Sequence, residues 1–182
     1  MNSPTATDAP AVEAEARRNG AAPAAPPAGS DRVVTKLRFK CSPEQAWQNL
    51  MFYEQIERRP PLHLLALLPK PIRTEGRKSE VGDVATCLYE GGHLLKKVTE
   101  IQEARYYGFD VIEQTLAFGG GMKLSHGAYT LTPRADGGTD VSVETNYTSS
   151  RRPRSLWRPI EALVAHSFHR FILREMRRKA QA

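Results

Sequence analysis

His126 is the first candidate for acid–base chemistry in this sequence. It lies in a predicted strand over residues 123–133, in the alternating set that also contains Leu124, Ala128 and Thr130. If that set faces a cavity, the imidazole lies among apolar neighbours and could act there as a general acid or base. The alternative is a hydrogen-bonded histidine on the surface of the sheet, since most isolated histidines carry out no chemistry.

Glu113 is the second candidate. Alternation along a predicted strand over residues 106–115 places it on the same face as Phe109 and Val111. A carboxylate beside these apolar side chains could work with His126 as an acid–base pair. The alternative is a solvated strand residue, because glutamate is seldom buried. Whether the protein is an enzyme therefore stays open.

A larger set of aromatic and aliphatic residues could line a ligand cavity. Tyrosine combines an apolar body with a polar tip, which suits such a wall, although tyrosine is also an ordinary sheet residue. The candidates lie in the predicted strands and along the last helix: Tyr89, Tyr107, Phe109, Val111, Tyr129, Trp157, Ile160, Val164 and Phe168.

Metal and cofactor binding have little support in the sequence. His166 and His169 are spaced i, i+3 in the last predicted helix, but no further ligand motif accompanies them, and we interpret them as part of an exposed polar face. Cys41 and Cys87 lie in different elements and are expected to be buried small apolar residues. We therefore predict no metal and no cofactor.

Composition separates a tail from a domain. The chain has 182 residues, and the first 30 contain ten Ala, five Pro and no aromatic residue. Such a segment cannot bury enough surface to offset its ordering entropy, so we predict a disordered tail over residues 1–30 and one domain over residues 31–182. We do not expect these 30 residues to be a secretory signal, because no basic start is followed by an apolar stretch. The longest uncharged apolar run, Leu62 to Leu68, is too short to span a bilayer. We expect a cytoplasmic protein.

Charge is concentrated at the C-terminal end. The net charge is +6, and residues 151–182 carry nine basic groups against two acidic ones. This segment could contact anionic lipid head groups, with Trp157 and the run at 62–68 as apolar anchors, or it could be a solvated helix face. Nucleic acid is not an expected partner because no recognition motif is present. Lys96 and Glu100 are interpreted as a surface ion pair.

The order of elements predicts an α+β fold. A strand over residues 33–40 precedes a helix that is capped by Ser42, has Pro43 in its first turn and extends to about Glu57. A polar connector over residues 70–79 leads to antiparallel strands, and an amphipathic helix over residues 153–179 ends the chain. With the first strand, the sheet has six strands: 33–40, 81–90, 93–103, 106–115, 123–133 and 139–149. On the last helix, the apolar face is expected to contain Leu156, Trp157, Ile160, Leu163, Val164, Phe168 and Phe171.

Four segments in this order resemble the START/SRPBCC helix-grip superfamily, including its polyketide cyclase/dehydrase-like group. They are SPEQAWQNL, EVGDVATCLYEGG, KKVTEIQEARYYGFDVIEQ and HGAYTLTPRADGGTDVSVETNY, followed by the amphipathic helix. The resemblance implies a helix-grip fold, with a curved sheet wrapped around the last helix. It also implies a cavity between sheet and helix for a hydrophobic molecule such as a lipid, a polyketide or an aromatic metabolite. A minority of such proteins are cyclases or hydratases, and no shared catalytic motif carries over to this chain.

Three hypotheses about function follow. The first is a protein that binds a hydrophobic small molecule in that cavity. The second is a cyclase or dehydratase that uses His126 with Glu113 or a tyrosine. The third is a peripheral membrane protein that docks through the basic C-terminal helix.

Overall fold

The computed structural model describes residues 29–65, 67–116, 118 and 121–182. The predicted tail therefore lies almost wholly outside the described residues. The described elements, in chain order, are β1 (Asp31–Phe39), α1 (Pro43–Gln48), a 3-10 turn (Tyr53–Gln55), α2 (Leu62–Leu65), β2 (Pro71–Gly76), β3 (Val84–Tyr89), β4 (Gly92–Gln102), β5 (Tyr106–Gln114), β6 (Met122–Pro133), β7 (Thr139–Ser149) and α3 (Arg154–Ala180).

The strands form one antiparallel sheet in the order β1-β7-β6-β5-β4-β3-β2, which is open at β1 and β2. The long helix α3 packs across it and contacts β1 and β7. This is the predicted α+β helix-grip architecture. In the described residues, no helix has both the length and the apolar character that a membrane span requires.

The described sheet has seven strands, so the prediction of six is wrong. The additional strand, β2, lies in the predicted polar connector and pairs with β3, with Thr74 opposite Cys87. It is an edge strand and most of its residues are exposed, which explains its polar sequence. Pro71 opens it, a position where a missing N–H costs the ladder little.

The first helix begins as predicted but is shorter. Ser42 and Gln45 form a reciprocal capping box, and Pro43 occupies the first turn. The helix ends at Gln48 instead of continuing to Glu57. Beyond it, Phe52 and Tyr53 are 6% exposed and belong to the main core.

The buried face of α3 differs from the predicted one. Ile160 and Leu163 are 44% and 64% exposed, whereas Glu161 and His169 are buried. The buried polar groups have partners: Glu161 accepts hydrogen bonds from Ser149 and Arg154. Because these partners offset desolvation, polar residues occupy the face that a hydrophobicity pattern assigns to solvent.

Candidate functional site

Three neighbouring spaces lie along one path from the surface to the interior. The inner cavity, between the sheet and α3, encloses about 60 Å³. The middle pocket, about 10 Å³, adjoins it and shares Glu54 and Lys96 with its wall. The outer groove is open to solvent, holds about 440 Å³, and shares Lys78 and Tyr107 with the middle pocket. Phe52 lines all three spaces.

The Phe52 ring is a partition between these spaces. It makes edge-to-face contacts with Tyr107, Phe109 and Tyr129 at centroid distances of 5.3, 5.7 and 5.5 Å. Lys78 Nζ lies 4.2 Å from the centroid of the Phe52 ring, and Lys78 also lines the outer groove. The inner cavity is small because these rings fill the space between the sheet and the segment that follows α1.

A buried ion pair forms the polar end of the path. Lys96 Nζ lies 2.6 Å from Glu54 Oε1, and the side chains are 14% and 1% exposed. The Tyr89 hydroxyl also donates to Glu54 Oε1. Glu54 lies in the 3-10 turn. Lys96 lies on β4 and pairs with Val111 of the neighbouring strand β5. No local pattern in the sequence indicates this pair, and the predicted surface ion pair of Lys96 with Glu100 is wrong.

Both members of the pair are charged at neutral pH. Burial alone raises the pKa of Glu54, but the charge of Lys96 and the hydrogen bonds from Lys96 and Tyr89 outweigh it and lower the pKa to about 2. Burial lowers the pKa of Lys96, and the Glu54 carboxylate more than compensates, so its pKa is raised. Fixed charges of this kind orient a ligand better than they exchange protons near pH 7.

One atom of the pair is unsatisfied. Glu54 Oε2 is buried and has no hydrogen-bond partner among the described atoms. A buried carboxylate oxygen without a donor is costly, so this atom offers a place for a hydroxyl or a water molecule.

A second polar cluster lies where α3 crosses β1 and β7. His169 lines the inner cavity, its Nδ1 lies 3.0 Å from Thr35 Oγ1, and its Nε2 lies 2.8 Å from Thr145 Oγ1. Thr35 Oγ1 also lies 2.7 Å from His166 Nδ1. Burial is the main cause that lowers the pKa of His169 to about 3, and the neighbouring His166 adds a smaller contribution. This imidazole is therefore neutral at pH 7. The prediction that His169 is exposed is wrong.

His126 lies in the cavity wall, together with Leu124 and Ala128 from its predicted set. A register shift between Leu124 and His126 inserts Ser125, so Leu124 packs against the core while His126 Nδ1 lies 2.8 Å from Asp110 Oδ1. The Asp110 side chain is 49% exposed. The shift therefore separates Leu124 from the predicted alternation, whereas His126 and Ala128 keep it.

Glu113 is displaced by a second irregularity. β5 shifts its register between Val111 and Glu113, so Val111 lines the inner cavity while the Glu113 side chain is 55% exposed. Its Oε1 lies 2.8 Å from His93 Nε2. The structure therefore does not bring His126 and Glu113 together as a pair.

The other predicted wall residues divide into three groups. Tyr89, Phe109, Tyr129 and Phe168 line the inner cavity together with Val111. Tyr107 lines the middle pocket and outer groove, and Val164 packs against the main core. Trp157 and Ile160 lie near the start of α3, away from all three spaces; Trp157 Nε1 donates to the Arg152 carbonyl at 3.2 Å.

The remaining reactive groups are dispersed. Cys41 and Cys87 are free and buried, as predicted, and burial raises the pKa of the Cys87 thiol to about 11. Within the described ranges, no three His, Cys, Asp or Glu side chains are grouped so that they could hold a metal ion.

Comparison with known proteins supports the fold alone. No family model and no curated protein matches the chain. The crystal structure of protein MLL2253 from Mesorhizobium loti is similar, with a TM-score of 0.53 at 17% identity over 83% of this chain and 97% of that one. Ara h 8.0201 and TTHA0849 from Thermus thermophilus each give a TM-score of 0.49, at 14% and 15% identity. Ara h 8.0201 is matched over 84% of this chain and 99% of its own, and TTHA0849 over 83% and 97%.

Proposed function

We propose that this protein is a START/SRPBCC-like binding protein for an amphipathic small molecule. The molecule has an aromatic or aliphatic body and a hydroxyl head group. The observation that carries the proposal is the position of Phe52, which separates a solvent-open groove of about 440 Å³ from a buried, charged cavity.

Size favours the outer groove for the body of the ligand. Ligand pockets usually hold roughly 300–1,000 Å³, a range that includes the outer groove but not the inner cavity of about 60 Å³. Trp47, Leu50, Ile101 and Tyr107 give the groove an apolar wall. Rotation of Phe52 would join the spaces and allow the head group to reach the ion pair.

The unsatisfied oxygen supports a head group that donates a hydrogen bond. Glu54 Oε2 accepts but cannot donate, so it selects a hydroxyl over an ether or a second carboxylate. Polyketides, aromatic metabolites and many lipids carry such hydroxyls. The resemblance to the SRPBCC group is consistent with these classes.

Fluorescence titration with 2-naphthol, and with 2-methoxynaphthalene as the probe without a donor, tests this proposal. We expect 2-naphthol to bind more tightly to the wild-type protein. Glu103 lines the outer groove, so Glu103→Trp should fill the groove and weaken 2-naphthol binding at least tenfold. Arg105→Trp adds the same side chain two residues away, outside the groove wall, and should leave binding unchanged. Equal binding of both probes, or equal effects of both substitutions, would contradict the proposal.

A cyclase or dehydratase activity in the same cavity is the alternative. Its support is His126, which lies in the cavity wall with Asp110 as a partner at 2.8 Å. In that case His126→Ala abolishes turnover of a bound polyketide substrate while 2-naphthol binding survives. Turnover that is unchanged by His126→Ala rules out this role.

A further inference from the structure

An arginine-lined cleft lies apart from the proposed ligand path. It holds about 560 Å³ between the C-terminal half of α3 and residues 58–63. A single carboxylate in its described wall, Glu175, is buried and pairs with Arg58 and Arg178. The arginines that line the cleft are Arg58, Arg59, Arg170, Arg174, Arg177 and Arg178.

The cleft therefore has an excess of positive charge. Among the described residues, no carboxylate lies within ion-pair distance of Arg59, Arg170, Arg174 or Arg177. Guanidinium groups match phosphate oxygens with paired hydrogen bonds, so a surface of this kind is complementary to phosphate groups.

Exposed apolar side chains continue the same face of α3 toward its N-terminus. Leu156, Ile160 and Leu163 are 55%, 44% and 64% exposed. At 100° per residue, these three side chains and those of Arg170 and Arg174 fall within an arc of about 80° around the helix, and a rise of 1.5 Å per residue puts Leu163 about 10 Å from Arg170 along the axis. Beside the cleft, Leu62 in α2 is 86% exposed.

We propose that this face, defined by Leu156, Ile160, Leu163, Leu62 and the arginine cleft, docks on an anionic membrane surface. The arginines pair with lipid phosphates, and the exposed aliphatic side chains enter the interfacial layer. A second copy of this chain fits less well, because its cleft carries the same excess charge and like charges repel. The proposal uses none of the residues that line the outer groove or the inner cavity.

Vesicle co-sedimentation tests this docking surface. We expect the wild-type protein to bind vesicles of phosphatidylcholine mixed with phosphatidylglycerol, to bind pure phosphatidylcholine vesicles weakly, and to be released by salt. A basic residue near an anionic surface contributes about fivefold to binding, so Arg170→Gln with Arg174→Gln should weaken binding roughly 25-fold. Arg105→Gln with Lys123→Gln removes the same charge elsewhere on the protein and should have little effect.

The apolar part and the competing occupants are tested separately. Leu156→Ser with Leu163→Ser should weaken binding to the anionic vesicles without changing the net charge. Equal binding to both vesicle types, or equal losses in the two double-charge variants, would overturn the proposal. Tighter binding to polyuridylate than to the vesicles, or dimerisation in sedimentation velocity that the arginine variants abolish, would assign the face to another partner and also overturn it. In every case 2-naphthol titration of the same variants reports on the ligand site independently.

Discussion

Substituting Lys96 by methionine would leave the Glu54 carboxylate buried without its opposite charge. The two side chains are 14% and 1% exposed, so bulk solvent screens the remaining carboxylate poorly. Removing one member of a buried pair costs about 3–5 kcal/mol of the free energy of unfolding. At about 2–4 °C per kcal/mol for a protein of this size, the melting temperature should fall by about 6–20 °C.

Two controls separate burial from the loss of a lysine. Lys70 forms a similar pair with Glu90 at 2.7 Å, but these side chains are 75% and 60% exposed, so Lys70→Met should cost less than about 1 kcal/mol. Combining Lys96→Met with Glu54→Gln removes the uncompensated charge and should recover a large part of the loss. Urea denaturation, followed by circular dichroism, measures the free energy of unfolding of the wild type, the two single variants and the double variant.

The pH dependence gives a second signature. In the wild type the pKa of Glu54 is lowered from 4.5 to about 2, so the pair stabilises the fold fully above pH 4.5 and this contribution is lost as the pH falls toward 2. Without Lys96, burial dominates and raises the pKa of Glu54. As the pH falls and this carboxylate takes up a proton, the free energy of unfolding of Lys96→Met should therefore rise relative to that of the wild type. If Lys96→Met and Lys70→Met have the same small effect, or if the double variant is no more stable than Lys96→Met, the reasoning about the buried pair is wrong.

Other groups give simpler tests. The pKa of His169 is lowered from 6.5 to about 3, so its contribution to stability is present above pH 6.5 and is lost as the pH falls; in His169→Gln the slope of the unfolding free energy between pH 6 and 4 should decrease by up to about 1.4 kcal/mol per pH unit. A Cβ atom on Gly127 would lie 2.3 Å from Cζ of Phe109, so Gly127→Ala should cost about 1–3 kcal/mol in urea denaturation, and adding Phe109→Leu should recover stability. Burial raises the pKa of both Cys41 and Cys87, so iodoacetamide should label them only after unfolding, as mass spectrometry would show.

Local signals predicted most of the elements. The Ser42 and Gln45 capping box acts within a few residues, and its hydrogen bonds form as the spacing indicates. β7 alternates along much of its length, with Val141, Val143 and Tyr147 buried. Such patterns can be recognised without knowledge of the tertiary contacts because each depends on neighbours in the sequence.

The edge strand β2 shows where local signals fail. Its residues are largely exposed, and in the described part of the sheet it pairs with β3 alone. An exposed strand gives no alternation of apolar and polar residues. Its existence depends on the backbone hydrogen bonds that β3 offers.

Assignments of inward and outward faces failed for a related reason. Alternation holds only while the register is regular. Single-residue shifts near Ile112 and Ser125 move Glu113 off the predicted face of Val111 and take Leu124 out of the predicted alternation with His126. On α3 the pattern placed Leu163 inside and His169 outside, whereas the helix buries the residue that has two threonine partners.

The sequence by itself determined the types and order of most elements, the position of the basic segment and the burial of both cysteines. Only the tertiary structure decided the candidate site. Glu54 meets Lys96 across 42 residues of chain, and His169 meets Thr35 across 134. A polar side chain enters the interior only when a partner offsets its desolvation, and the fold alone determines which partner each one meets.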